Sequence, residues 1–324
     1  MRQTRRYLAI FWLAIAGAGL SLAPACLSSA QEAGEADFNF IVFGDMPYRM
    51  PGDLKRLENL IALVNAEEPA FSVHVGDVKS GLANCSTDYY LTIRSYFDSF
   101  DGALIYTPGD NDWADCDRIL AGGYDTRERL AELRRIFFSE SSSMGGTPIS
   151  LTRQAKGDGH PDMPENAIWD YGGITFATIH MVGYDNNLTD DRKEFEARNA
   201  ADIAWIEETF QHAVENSRAG IVLLFHADIF STGAPKESFA GPIAAITAAA
   251  EAFGRPVLLI NGDSHIYGID NPIRRSDTGR RNRNIKRVIV FGNARMHAVM
   301  VTVKPGTPDL FSVNPLIIEN NNTD

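Results

Sequence analysis

The chain has 324 residues and 44% hydrophobic content, enough for one large domain or two small ones around an ordinary core. Its 42 acidic residues outnumber 30 basic ones, giving a net charge of −12. That balance excludes bulk binding to nucleic-acid backbones or anionic membranes, which would repel it.

Residues 1–30 read as a cleavable export signal. A basic start (Arg2, Arg5, Arg6) leads into an apolar stretch from Tyr7 to about Ala25, and Ser28-Ser29-Ala30 offers small residues before a cut after Ala30. The stretch is long for a signal, so an uncleaved anchor is the alternative; TRRYLA at 4–9 partly matches a twin-arginine signal. Losing three arginines moves the net charge from −12 to −15. The expected location is periplasmic or extracellular, with no stable membrane association after cleavage; nothing in the sequence fixes an oligomeric state. In an oxidising compartment the two remaining cysteines, Cys85 and Cys116, are expected to form a disulfide, with two unpaired thiols as the alternative.

After a polar leader at 31–36, strand-length apolar runs fall at 38–43, 70–75, 103–107, 174–180, 219–225, 256–261 and 285–291. Helix-like segments separate them at 51–66, 86–100, 125–138, near 190–217 and at 237–253. This alternation predicts an α/β architecture with substantially parallel sheet. Residues 293–313 read as further strand, antiparallel, and 139–166 as a long Ser-, Gly- and Pro-rich loop. The expected organisation is a single domain over 37–318 with a frayed tail at 319–324.

Six Gly-Asp pairs occur, and four stand just past an apolar run: Gly44-Asp45, Gly76-Asp77, Gly109-Asp110 and Gly262-Asp263. In α/β sheets ligands bind beyond the carboxyl ends of the strands. Four carboxylates gathered there repel one another unless a divalent cation relieves them, so the pattern points to metal. His226 and His265 also stand at strand ends. The plain alternative is that each Asp caps the next helix.

In order, GDMPY, GDVKSG, PGDND, FHAD and NGDSH resemble the motifs of the calcineurin-like metallophosphoesterase superfamily. The resemblance spans most of the chain beyond the signal; each motif alone is weak, and the ordered set is fairly specific. It implies two mixed β-sheets packed as a sandwich with helices outside, a four-layer α/β/β/α fold, and a two-metal site at the sheet edge. Carried over, Asp45, Asp77 and His265 hold a first metal, Asp77 bridges to a second, and Asp110, His226 and Asp263 complete that second site. One or two divalent ions are implied, and the oxygen-rich ligands favour manganese or iron, with magnesium or zinc as alternatives.

The departures are specific. Pro47 stands where the first motif has a histidine, Asp110 and Asp263 replace other ligands, and Asn111 replaces the histidine that assists the leaving group. Asn111 can still bond a phosphoryl oxygen, and Asp112 is the neighbouring candidate for leaving-group help. Lys79 could reach a substrate phosphate. The basic segment 273–287, with Arg274 and Arg275, could attract an anion or form a solvated hairpin. His74 and His180 read as core residues and His212 as surface. Tyr48 makes GDMPY a G-D-x-x-Y, a form that purple acid phosphatases carry in the second motif; Val78-Lys79-Ser80 lacks the tyrosine, so that subgroup is set aside.

The resemblance implies an exported, metal-dependent hydrolase of a small anionic phosphoester, mono- or diester, in which a metal-activated water attacks phosphorus. A non-catalytic protein binding metal or a phosphorylated ligand is the rival. Gly262-Asp263-Ser264 also suggests a serine esterase, but no D-x-x-H or G-x-S-x-G supports it.

Overall fold

A computed structural model describes residues 36–157, 159–160, 162–231 and 237–321. The signal at 1–30 and the leader up to residue 35 lie outside these. In chain order the first half runs β1 (Phe38–Phe43), α1 (Leu54–Glu67), β2 (Ser72–His74), α2 (Thr87–Phe97), β3 (Leu104–Tyr106), α3 (Thr126–Phe137), β4 (Thr152–Arg153), β5 (Ala167–Tyr171) and β6 (Ile174–Thr178). The second half runs α4 (Arg192–Glu215), β7 (Gly220–Leu224), α5 (Glu237–Phe253), β8 (Val257–Asn261), β9 (Gly268–Asp270), β10 (Ile285–Ile289), β11 (Ala298–Val303) and β12 (Phe311–Leu316).

These strands make two mixed sheets, ordered β12-β11-β1-β2-β3 and β4-β5-β6-β7-β8-β10-β9. β1, β2 and β3 run parallel, as do β6, β7, β8 and β10. The side-chain period of two assigns the layers. In β1, Phe40 and Val42 enter the core between the sheets, where Val73, Phe176, Val222, Leu258 and Val301 meet them. Ile41 and Phe43 point the other way, onto Leu57, Leu60 and Val64 of α1 and Ile93 and Phe97 of α2. In the larger sheet Ile221, Leu223, Val257 and Leu259 turn outward onto Trp205 and Phe210 of α4 and Ile246 and Ala250 of α5. Both faces of each central strand are buried, which is why these strands read as unbroken apolar runs. The result is the expected α/β/β/α sandwich.

Three strands were not anticipated. β5 forms a hairpin with β6 across Gly172-Gly173, β4 pairs antiparallel with β5 inside the expected 139–166 loop, and β9 pairs antiparallel with β10. The first two lie toward one edge of the larger sheet and β9 at its other edge, and all are short, so their apolar periodicity is brief. β11 and β12 are antiparallel as expected. The tail expected to fray is docked as far as Asn321, which is buried and donates to the carbonyls of Arg56 and Met296, each at 2.9 Å. Cys85 and Cys116 are disulfide-bonded. Among the described residues no helix is long and apolar enough to cross a membrane.

Candidate metal centre

The carboxyl ends of β1, β2, β3, β7 and β8 bring together Asp45, Asp77, Asp110, His226 and Asp263, with His265 two residues further on. The capping alternative does not hold for these aspartates. α2, α3 and α4 are capped by the side chains of Ser86, Asp125 and Asp191, and the residue preceding α1 is Asp53. Asp45, Asp77, Asp263 and His265 instead sit in left-handed backbone, with φ of 56, 61, 70 and 60°. Each such corner costs on the order of 1 kcal/mol for a non-glycine residue.

The preceding glycines are required by close approach. A side chain at Gly76 would stand 2.7 Å from His226 Nδ1, and one at Gly262 would run into Asp45 Oδ2. The backbone pins the corners to one another: Asp45 N–H donates to Gly76 O at 2.9 Å, and Asp263 N–H donates to Asp45 Oδ1 at 3.0 Å.

Two sets of donor atoms converge to within 4.8 Å: Asp45, Asp77 and His226, and Asp110, His226 and Asp263. The second set matches the expected second site. In the first, His226 takes the place expected of His265, whose Nε2 lies 3.2 Å from Asp45 Oδ1. His226 is the hinge of the cluster. Its Nδ1 is 2.9 Å from Val75 O, an acceptor, so Nδ1 carries a proton and Nε2 faces inward. Nε2 stands 3.1 Å from Asp110 Oδ1 and 3.4 Å from Asp77 Oδ1, ion pairs when the imidazole is charged, while Asp45 Oδ2 is buried without a partner. A buried carboxylate oxygen left without a donor among other carboxylates is costly unless a cation fills the gap.

The titration behaviour of the metal-free cluster agrees. Burial, reinforced by neighbouring carboxylates, pushes Asp77 and Asp263 above the usual carboxylate range. Burial opposes charging His226, but Asp77, Asp110 and Asp45 outweigh it and hold the imidazole well above its ordinary value. Burial also pushes Asp110 upward, but its contact with His226 wins and keeps it low. Protons serve here as substitute cations. Carboxylates with imidazole are a hard donor set that fits a divalent ion such as Mn²⁺, Fe²⁺ or Mg²⁺.

Tyr48 is the residue the sequence did not signal as part of the site. Its hydroxyl donates to Asp77 Oδ2 at 2.7 Å and stands 3.0 Å from His265 Nε2, so it lies between two expected ligands of the first metal. Asn111 is at the site as expected: its N–H donates to Asp77 Oδ1 at 3.1 Å, and its amide bonds Asp77 Oδ2 and the Tyr48 hydroxyl.

Other expected site residues are placed elsewhere. Asp112 is fully buried beneath the corners and accepts four hydrogen bonds, so it is no proton donor to a leaving group. Lys79 is buried, and its ammonium bonds the carbonyls of Ser80 and Asn111 at 3.0 and 2.6 Å, bracing the loop from inside. Arg274 bonds Gly279 O and Arg275 pairs with Asp277 at 3.0 Å, so both guanidinium groups are held on their own hairpin. His74 and His180 are core residues as expected. His180 accepts from Trp113 and faces Glu165, and His74 lies between Met46 O and the Gly76 N–H.

No family model matches the chain, and no curated protein matches it in sequence. Its structure is similar to GAP50, the anchor in the inner membrane complex of Plasmodium, with 9% identity over 87% of this chain and 89% of that one and a TM-score of 0.51. It is also similar to PhoD, with 11% identity over 87% of this chain and 70% of that one and a TM-score of 0.54. At such identities the likeness is one of fold.

Proposed function

We propose that this chain is an exported, metal-dependent phosphoesterase of the calcineurin-like type, hydrolysing a phosphate mono- or diester. The observation that carries the reading is the convergence of Asp45, Asp77, Asp110 and Asp263 around His226, with Asp45 Oδ2 buried among them without a partner. Either Asp45, Asp77 and His226 or Asp110, His226 and Asp263 would hold one ion through His226 Nε2, and the carboxylates left over would hold a second; when bound, such ions supply Lewis acidity and an acidified water. The chain's own part is geometric. The backbone corners fix the carboxylates, Val75 O fixes the His226 tautomer, and the Asn111 amide holds Asp77 Oδ2 and the Tyr48 hydroxyl, from which it would have to turn to bond a phosphoryl oxygen. Water oxygen joins phosphorus, the ester P–O bond breaks, and the leaving alcohol takes its proton from solvent, since Asp112 is sealed below.

A second reading, a non-catalytic metal- or phospholigand-binding protein, is favoured by one observation. The Tyr48 hydroxyl sits between Asp77 and His265, where a ligand atom of the first metal would be wanted. The anchor GAP50 has a similar fold, so the fold alone does not select catalysis. Metal content of the purified protein, with hydrolysis of p-nitrophenyl phosphate and its bis ester with and without Mn²⁺, separates the readings. Metal-dependent turnover supports the enzyme, bound metal without turnover supports the binding protein, and no metal after reconstitution ends the enzyme and the metal-binding form of the second reading.

A further inference from the structure

Five large apolar side chains are at least 60% exposed among the described residues: Ile119 at 92%, Ile266 at 73%, Tyr184 at 69%, Leu120 at 67% and Leu82 at 60%. All five belong to loops that carry or touch the metal centre. Ile266 follows His265 in sequence. Leu82 follows Gly81, where a side chain would stand 2.6 Å from Asn111 Oδ1 and 2.5 Å from Arg118 Nη1. The Cys85–Cys116 bond and the Cys85 N–H donating to Ala121 O at 2.9 Å tie the Leu82 loop to the one bearing Ile119 and Leu120. Tyr184 and Arg118 line one recess of about 110 Å³ with Asp110.

Exposed apolar groups on neighbouring loops mark a binding surface, here the linked loops of Leu82, Ile119, Leu120 and Tyr184, with Ile266 beside His265. The charges say what kind. Lys79 is spent on carbonyls, Arg274 and Arg275 are held on their hairpin, and Arg118 pairs with Asp115 at 2.6 Å. Arg49 faces Asp53 at 3.5 Å, so exposed Arg295, on the segment that packs against His265 and Tyr48, adds charge for one phosphate, which in a chain of net charge −12 is little to offer a polyanion. The mouth of the site has apolar surface to offer the rest of a singly phosphorylated molecule.

Resting on the function proposed above, we infer that the substrate is an amphiphilic phosphoester, its phosphate at the metal centre and a long hydrocarbon chain across Leu82, Ile119, Leu120, Tyr184 and Ile266. The test compares butyl with dodecyl phosphate, and the methyl with the dodecyl diester of p-nitrophenyl phosphate, each below its micellar concentration. The dodecyl esters are expected to show a KM lower by about tenfold or more at similar kcat, as several buried methylenes allow. Leu82→Ser/Ile119→Ser/Leu120→Ser removes that advantage and leaves the short-chain constants unchanged. Leu91→Ser/Val214→Ser, exposed apolar positions on α2 and α4, changes neither. Equal KM for short and long chains, or an advantage that survives the triple variant, overturns this inference alone. Loss of a dimer in the triple variant with unchanged KM overturns it too and reassigns the surface to a second copy. Absence of turnover on every ester overturns the function and this inference together.

Discussion

Asp112 offers the sharpest test of how the site is built. Its Oδ2 accepts the N–H groups of Asp77 and Gly109 at 2.9 and 2.8 Å and the Tyr106 hydroxyl at 2.6 Å, while Oδ1 accepts the Val78 N–H at 2.8 Å. All four partners are donors, so the group they want is a carboxylate. In Asp112→Asn the amide oxygen can keep the three-donor side, but the NH₂ then faces the Val78 N–H. One buried donor is orphaned and charge assistance is lost from the rest, a cost of about 3 kcal/mol. Asp112→Ala orphans all four at roughly 1–3 kcal/mol each, most of a typical domain stability of about 5–15 kcal/mol. Urea unfolding of the metal-free protein, at constant m-value, reads the difference. A pH–rate profile of Asp112→Asn, with its alkaline limb unmoved, separates support from proton donation. An Asp112→Asn midpoint within about 0.5 kcal/mol of wild type would refute the reasoning. So would normal stability combined with a lost alkaline limb.

Asp77→Ala removes the carboxylate between Asn111, Tyr48 and His226, and atomic absorption is expected to show metal content falling by about one ion per chain; undiminished content refutes the site. Tyr48→Phe removes one donor from Asp77 Oδ2, which keeps Asn111, and the hydroxyl beside His265 Nε2, so calorimetry is expected to show Mn²⁺ binding tighter by about tenfold, one charge-assisted hydrogen bond's worth. Weaker binding in that variant would mean the hydroxyl is itself a ligand. Replacing Cys85 and Cys116 by Ser opens a loop with a sequence separation of 31. Chain entropy puts the loss at about 3–4 kcal/mol, read by thermal unfolding, and a loss below about 1 kcal/mol would show the loops held by packing alone. Burial lowers His74 from 6.5 to about 4, so the folded state refuses a proton that the unfolded state accepts. Stability therefore falls as pH drops from 6.5 through 4, by up to about 3 kcal/mol, and the slope shrinks in His74→Gln; an unchanged slope in that variant refutes the assignment.

The sequence showed most where chemistry and period coincide. β1, β7 and β8 are buried on both faces, so they read as solid apolar runs, and their ends mark where the site must be. Five of the six expected ligands fall into the two donor sets, because a Gly-Asp corner is a local requirement that needs no knowledge of the partner strand. What depended on distant partners was not legible. Lys79 looks like a phosphate reader until the Asn111 carbonyl is found above it. Asp112 looks like a proton donor until the Asp77, Val78 and Gly109 amides are found around it. Tyr48 stands in the wrong motif for the subgroup that its G-D-x-x-Y suggests, yet three dimensions put its hydroxyl against residues 29 and 217 positions away. The β5–β6 hairpin did carry a local signal, a Gly-Gly pair between β-rich runs, which was overlooked.

The centre is assembled against its own energetics. Four non-glycine corners in left-handed backbone cost on the order of 1 kcal/mol each, and four carboxylates converge around two imidazoles, with Asp45, Asp77 and His226 buried and the rest half-buried. None of this returns stability locally, since the helices are capped by other residues and the sheets would pair as well with ordinary turns. The structure offsets the cost around the site, through Asp112 beneath the corners, Lys79 inside the loop and a disulfide between two site loops. Support of that kind, arranged around groups that repel each other, makes sense when the arrangement is for something that neutralises it. A divalent cation held by Asp45, Asp77, Asp110, His226 and Asp263 does so, and the exposed apolar rim adds a reason for the loops to stand open beside it.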